Sequence, residues 1–401
     1  MNKKIIFIST LSFLLNSCHV ARFFAWNIVD HDDYKKFSKV EITKGKNSFY
    51  FSNNTQNNNF KLPKKVISKK KETYSFNEAL TKDKTAAFLI IKKDSILYEK
   101  YFDGFDKSSL LASFSVSKSF LATMIGIAIN DGEINSVKDS ITAYLPDLDK
   151  TKFGHINIEN LLNMRSGIKS KKDFLNPFGQ IVKMYYGKNL RKYMRKIKIE
   201  KEPGLSYDYS NVNSQLLAII LENATGKSVE KNLEEKIWKP LGMEYNATWS
   251  VDSKKNKMVK AFCCINASAR DYAKIGRLYL NKGKWNNKQI IPENWVTKST
   301  TFTTSKNDFR YTYHWKHSVT YEILTDSTKY PDLYVDGGYF MDKNNAKKDF
   351  IIYPYPGFFA IGILGQFVYV YPEKDLIIVR LGQQDKVFEW ENIIKEIVEL
   401  N

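Results

Sequence analysis

Phe114-Ser115-Val116-Ser117-Lys118-Ser119-Phe120 opens an apolar run, Leu121 to Ile129, that stops at Asn130-Asp131-Gly132. The apolar residues follow one another too densely for a one-sided stripe. They predict a helix from about Val116 that is buried on most of its faces, with Gly132 as its C-cap. Ser115 then falls in the first turn with Lys118 three residues on, so hydroxyl and amine share one face beside the positive end of the helix dipole. A lysine at its usual value of about 10.4 is a poor base near neutrality. Burial disfavours the charged form and lowers that value. A neutral Lys118 can take the Ser115 proton, which is what a nucleophilic serine requires.

The spacing by itself does not single out this pair, because Ser68 with Lys71, Ser166 with Lys169 and Ser228 with Lys231 share it. Those three lie among charged or turn-forming residues and read as solvated. Only Ser115 precedes a long apolar helix.

Working outward, Ala86 to Ile91 and Ser95 to Phe102 are β-rich runs joined through Lys92-Lys93-Asp94, a hairpin signal that feeds the helix directly. Val137 to about Trp315 reads as mostly helical. Leu161 to Gly167 is a short helix with a turn, Val212 to Asn223 is apolar and periodic, and Val229 to Trp238 runs to Pro240-Leu241-Gly242. Ser268-Ala269-Arg270-Asp271 starts a further helix through Leu280 in the manner of a capping box. Strands return at Phe358 to Leu364, Gln366 to Tyr371 and Leu376 to Leu381, the last two separated by Pro372-Glu373-Lys374-Asp375. An amphipathic helix, Val387 to Leu400, closes the chain with its apolar face expected on the sheet. The predicted class is α+β, an antiparallel sheet flanked by helices with an inserted all-helical lobe at about 137–315. Residues 19–84 form a lead-in, and residues 85–401 the main domain.

Met1 to Ser17 has a secretory shape, with basic Asn2-Lys3-Lys4, apolar Ile5 to Leu15 and the small-residue end Leu15-Asn16-Ser17-Cys18. The run is too short to span a membrane as a helix. It resembles a bacterial lipoprotein signal, which makes Cys18 the lipidation candidate and implies a secreted or envelope protein, membrane-associated through that lipid or an anchor. Cys18, Cys263 and Cys264 are the only cysteines. Adjacent cysteines rarely bridge, so Cys263 and Cys264 are expected to pack as small apolar residues.

The 401 residues are 43% hydrophobic, enough for a large core and incompatible with a disordered chain. The net charge of +19 favours anionic surroundings such as phospholipid headgroups or acidic polymers. Nucleic acid is the poorer partner, since Lys64-Lys65 and Lys69-Lys70-Lys71 carry no interleaved aromatics. Asp30-His31-Asp32-Asp33 reads as an acidic surface turn rather than a metal site, because no second ligand cluster accompanies it; His19, His155, His314 and His317 show no paired zinc spacing. No metal or cofactor is expected.

A serine and lysine need a second proton handler and an oxyanion hole. Glu202-Pro203-Gly204 through Tyr207-Asp208-Tyr209-Ser210-Asn211 is a loop ahead of a helix. Tyr209 there could share the proton with Lys118 and pass it to a leaving group, and Asn211 could bond Lys118 or the substrate; the alternative is an aromatic loop whose tyrosines only pack.

Ser115-Val116-Ser117-Lys118, then Tyr209-Ser210-Asn211, then a late Gly-rich strand resembles the serine β-lactamase and penicillin-binding-protein fold. The likeness is to its class C-like serine hydrolases, which include esterases and 6-aminohexanoate-dimer hydrolase, and runs from roughly Ala86 to Leu381. Leu161 to Gly167, Glu235 to Met243 and Ala269 to Ala273 add to it. The resemblance implies Ser115 as acylated nucleophile, Lys118 as base, Tyr209 as its partner and Asn211 as the Asn of that element. It also implies Gly362-Ile363-Leu364-Gly365-Gln366 on the strand edging the site, with the backbone N–H groups of Ser115 and Gln366 as the oxyanion hole. Penicillin-recognising members carry Lys-Thr-Gly or His-x-Gly where this chain has Ile363-Leu364-Gly365, which lacks a cation and a hydroxyl for a carboxylate. The expected activity is cleavage of a small or oligomeric ester or amide. The alternatives are a β-lactamase or DD-peptidase, and a non-catalytic binding or sensor domain. A G-x-S-x-G elbow is absent.

Overall fold

The computed structural model describes residues 19–401 apart from 27–28, 58, 172, 303–309, 324–338, 342–346 and 385; of residues 321–353 it describes the backbone only. The secretory-type segment, Cys18 included, lies outside the described residues. Among those described, no helix is long and apolar enough to cross a membrane.

The main sheet grows from the hairpin β1 (Thr85–Lys92) and β2 (Ser95–Tyr101), whose turn holds Lys93 and Asp94 at φ +49° and +59°. Positive φ at both central residues matches the twist of a two-residue hairpin. β3 (Trp315–Ile323), β4 (Lys347–Gly362), β5 (Gln366–Tyr371) and β6 (Leu376–Gly382) extend it in the order β3-β4-β5-β6-β1-β2, with these five pairings all antiparallel. β1 and β6 are buried on both faces because each is central and covered twice. Phe88, Ile90 and Ile378 point to one side and Leu89, Ile91 and Ile377 to the other, the two-residue period of a pleat.

One side is covered by the C-terminal helix, α4 (Trp390–Glu399), with Phe76, Ala79 and Leu80. The other side carries α1 (Ser117–Asn130), α2 (Asn211–Thr225) and α3 (Ala269–Leu280). α1 is buried all round from Ser117 to Ala128, as its unbroken apolar run requires, and Gly132 follows at φ +74°. A single 3-10 turn, Phe114–Val116, precedes it, so Ser115 stands just ahead of the α-helix rather than inside it.

The inserted lobe is mostly helical but not purely so. Ala247–Ser250 and Ile265–Ala267 build a small sheet with Lys39–Ile42 and Leu111–Ala112, and α3 packs on the main sheet. The lead-in is woven into the fold through Lys39–Ile42 and through Ser52–Asn53, which pairs with β2. Lys39–Ile42 alternates polar and apolar residues as a strand does, but segments this short carry no sign of which distant strand they pair with.

Three local expectations are corrected. Ser68 and Ser166 are buried rather than solvated: Ser68 Oγ accepts from Glu72 N–H at 3.1 Å, and Ser166 Oγ–H donates to Asn213 Oδ1 at 2.7 Å. Cys263 and Cys264 are buried as expected, but they are joined in a disulfide. The chain turns there, with Cys263 N–H donating to Lys260 O and Cys264 at φ +80°, which brings the two side chains together. The acidic turn at Asp30–Asp33 is closed internally, Asp30 and Asp33 both holding Lys36.

Among the described residues, Lys260 is a fully buried lysine whose amine finds no hydrogen-bond partner. Its Nζ makes no hydrogen bond, sits 2.8 Å from the Phe37 ring centroid, and burial holds its pKa well below the ordinary lysine range. Below 10.5 the unfolded chain binds a proton that the native state resists, so this site costs stability, and the cost grows as pH falls toward the depressed native value. Lys260→Met is expected to raise unfolding free energy at pH 7 by about 1–3 kcal/mol, a gain that vanishes in denaturant melts as pH nears 10.5.

Candidate active site

Ser115 hangs from strand Leu111–Ala112, whose continuation is pinned where Ser113 N–H donates to Ile265 O at 2.8 Å. The 3-10 turn then delivers its hydroxyl, half-exposed, to the start of α1. Lys118 lies one turn on and is buried, its Nζ 2.9 Å from Ser115 Oγ. A second bond runs from Lys118 Nζ to Phe262 O at 2.5 Å. Burial alone pushes Lys118 well below the ordinary lysine range, and no carboxylate beside it offsets that. Lys118 Nζ thus donates to both the Phe262 carbonyl and Ser115 Oγ, in a place where burial disfavours its charged form.

Tyr209 closes the third side. Its segment is tied to the Leu161–Gly167 turn by Asp208 N–H donating to Met164 O at 2.8 Å, and it ends at Ser210, which caps α2. The Lys118 Nζ stands 5.0 Å from the centroid of the Tyr209 ring. Burial pushes the Tyr209 phenol up to about 12, and a hydrogen bond with Ser115 offsets part of that rise. A phenol at that value is neutral near pH 7, ready to relay a proton rather than to carry charge.

Tyr311 and His314 were not singled out by sequence. Tyr311 meets the Tyr209 ring edge-to-face at 6.0 Å and Tyr207 at 5.5 Å. His314 Nδ1 lies 3.0 Å from Lys118 O, and Ser119 Oγ–H donates to His314 O at 2.7 Å. Burial lowers His314 to about 3, so this clamp on the head of α1 is uncharged. No pattern could have revealed Phe262, since a backbone carbonyl has no sequence signature.

The late strand approaches as expected, but with a different glycine. Gly362, the last residue of β4, lies against the serine turn: a Cβ there would come 2.5 Å from Ser113 O and 3.1 Å from Ser115 N. Gly365 instead abuts Arg380 and Gln384 in the β4–β5 turn, with φ +74°. The Gln366 side chain is spent on that turn, donating to Ile363 O at 3.2 Å and Gly382 O at 2.6 Å and accepting from Gly382 N–H at 2.9 Å. Gly365 and Gln366 therefore support the strand end, and the backbone beside Ser115 is Gly362. The sequence offers two glycines three apart, and only the β4–β5 register, Gly362 opposite Gln366, decides which reaches the serine. Asn211 is half-buried at the start of α2 and makes no hydrogen bond to Lys118.

A 6-aminohexanoate-dimer hydrolase of Paenarthrobacter ureafaciens is 25% identical over 223 residues, 53% of this chain and 56% of that protein. The chain thus spans a little over half the length of that relative. A solved Bacillus anthracis structure provisionally named as a 6-aminohexanoate-dimer hydrolase aligns at a TM-score of 0.70 and 21% identity, over 90% of both chains. A class C beta-lactamase mutant aligns at a TM-score of 0.53 and 18% identity, over 80% of this chain and 94% of that one. At such identities the structural likeness speaks for the fold alone. A family model described as Beta-lactamase matches residues 78–396, which takes in the serine turn, the tyrosine loop and the late strand together; this chain belongs to the beta-lactamase family.

Proposed function

We propose that the protein is a serine hydrolase that cleaves an ester or amide through an acyl-enzyme on Ser115. The observation that carries this reading is the buried Lys118 amine 2.9 Å from a half-exposed Ser115 hydroxyl, with no carboxylate to keep it charged. Lys118 takes the hydroxyl proton as Oγ bonds to the substrate carbonyl carbon. Tyr209 relays that proton to the alcohol or amine as its bond to the carbonyl carbon breaks. Water then attacks the acyl-enzyme, gives its proton back along the same path, and releases the acid and free Ser115. The developing oxyanion is held by the N–H of Ser115 and that of Ile363, the residue after Gly362.

Ala360 and Ile361 precede Gly362 at this edge and supply neither cation nor hydroxyl, which favours a weakly charged acyl group over a β-lactam or peptide carboxylate. The Met1 to Ser17 segment and Cys18 support a secreted or envelope location with membrane association through that end.

A fluorophosphonate probe tests the reading. Labelling is expected on Ser115, mapped by peptide mass spectrometry, and absent in Ser115→Ala. A folded protein that takes no label overturns it and leaves the non-catalytic alternative.

A further inference from the structure

Single exposed apolar side chains are ordinary on a protein surface. Here Phe24, Tyr50, Ile67 and Leu400 are such scattered cases, but six others fall on the segments that flank the site. Among the described residues, Phe174, Leu175, Phe178, Leu205, Tyr207 and Ile363 are exposed, Leu175 by 82% and Phe178 by 66%. Phe174 lines a cavity of about 80 Å³ with Tyr209 and Asn211, walled by Ile181, Met184 and Val212. Leu175 and Phe178 follow on the same loop. Tyr207 touches Tyr311, which touches Tyr209, and Leu205 stands two residues before it. Ile363 is exposed and directly follows Gly362, which lies against the serine turn.

The outer side of the same loop is cationic. Phe178 also lines a recess of about 280 Å³ with Lys169, Lys171, Lys183, Lys196 and Lys198, and with Asp173. Lys169 is paired with Glu200 at 2.7 Å. Among the described residues, none of the other four lysines has a carboxylate at salt-bridge distance. Apolar side chains rimmed by lysine complement a bilayer surface: the apolar groups enter the acyl boundary and the ammonium groups meet lipid phosphates. An acidic polymer would answer the lysines and leave Leu175, Phe178 and Leu205 in water.

We infer that the mouth of the site docks on an anionic phospholipid surface, and that the acyl group passed to Ser115 comes from an ester carried in that surface. The docking stands on the geometry of the mouth; the acyl transfer rests on the hydrolase reading above. Ser115 Oγ bonds to the ester carbonyl, the bond to the lipid alcohol breaks and that alcohol leaves with the serine proton. Water then frees a long-chain acid.

Docking is measured with Ser115→Ala, so that no turnover intervenes, by sedimentation with equimolar phosphatidylglycerol–phosphatidylcholine vesicles. Leu175→Ser/Phe178→Ser and Lys196→Glu/Lys198→Glu are made in that background. Every protein keeps the same N-terminal segment, so differences report the mouth. Each double variant is expected to bind at least about fivefold more weakly. With Ser115 restored, the rate on an ester embedded in vesicles, relative to a short soluble ester, is expected to fall by a similar factor. Unchanged binding in both variants overturns docking, and loss in the lysine variant alone overturns the lipid in favour of an acidic polymer. Protein that takes the fluorophosphonate and cleaves the soluble ester, yet shows no difference on vesicles, sinks this inference while the hydrolase reading survives. Vesicle docking by a protein that takes no probe does the reverse.

Discussion

Lys118→Ala is expected to lower kcat/KM on any ester substrate by about 10⁴-fold, the upper range for removing a positioned general base, with fluorophosphonate labelling of Ser115 slowed in parallel. Among the described residues, the amine is the group placed to hold the serine proton: it lies 2.9 Å from Oγ and is fixed from behind by the Phe262 carbonyl. Tyr209 cannot replace it, because its phenol sits at about 12 and is no base near neutrality. The pH dependence has a definite sign. The proposed mechanism needs Lys118 neutral, and burial lowers its pKa, so activity is expected to rise with pH through that depressed value rather than near 10.5. Tyr209 keeps its proton up to about 12, so no fall is expected on the alkaline side before the fold itself fails. An acid limb near 10 in the wild type, or full activity in Lys118→Ala, would contradict the assignment.

Gly362→Ala is expected to cost about 10² to 10³ in kcat/KM, the loss typical of one oxyanion donor. The added Cβ would meet Ser113 O at 2.5 Å, Phe114 Cβ at 3.0 Å and Ser115 N at 3.1 Å, none of them a flexible side-chain end. Strand and serine turn must therefore part. Gly365→Ala makes the control. Its Cβ would run into the Arg380 guanidinium and strain a residue at φ +74°, so it is expected to lower the melting temperature and spare the turnover of folded enzyme. If Gly365→Ala abolishes turnover in folded protein while Gly362→Ala leaves it intact, the serine faces the other glycine. Circular dichroism establishes how much of each variant is folded.

The disagreement over these two glycines shows where reading a sequence stops. Both carry the same side chain, three positions apart, and either can end a strand. Choosing between them needs the register of β4 on β5 and the buried stitching of the turn by Gln366 and Arg380. The same holds for Phe262, whose carbonyl reaches Lys118 from 144 residues away, and for the Cys263–Cys264 bridge beside it, which a turn at Cys264 made feasible. Ser166, read as solvated from its charged neighbours, is buried because Asn213 on α2 comes to meet it.

What the chain declares locally is the part governed by short-range periodicity and by residue chemistry. The buried helix after Ser115, the hairpin at Lys93–Asp94, the capped start at Ser268, and the closing amphipathic helix each follow from apolar spacing or cap residues within one segment. The serine, lysine and tyrosine could be named because their side chains have few other uses in such a setting. Tertiary structure alone decided how dry Lys118 is, which backbone faces Ser115, and that the apolar lip and the lysine recess lie on two sides of one loop. Solvent exclusion, strand register and long-range contact depend on residues far apart in the chain, and no local pattern encodes them.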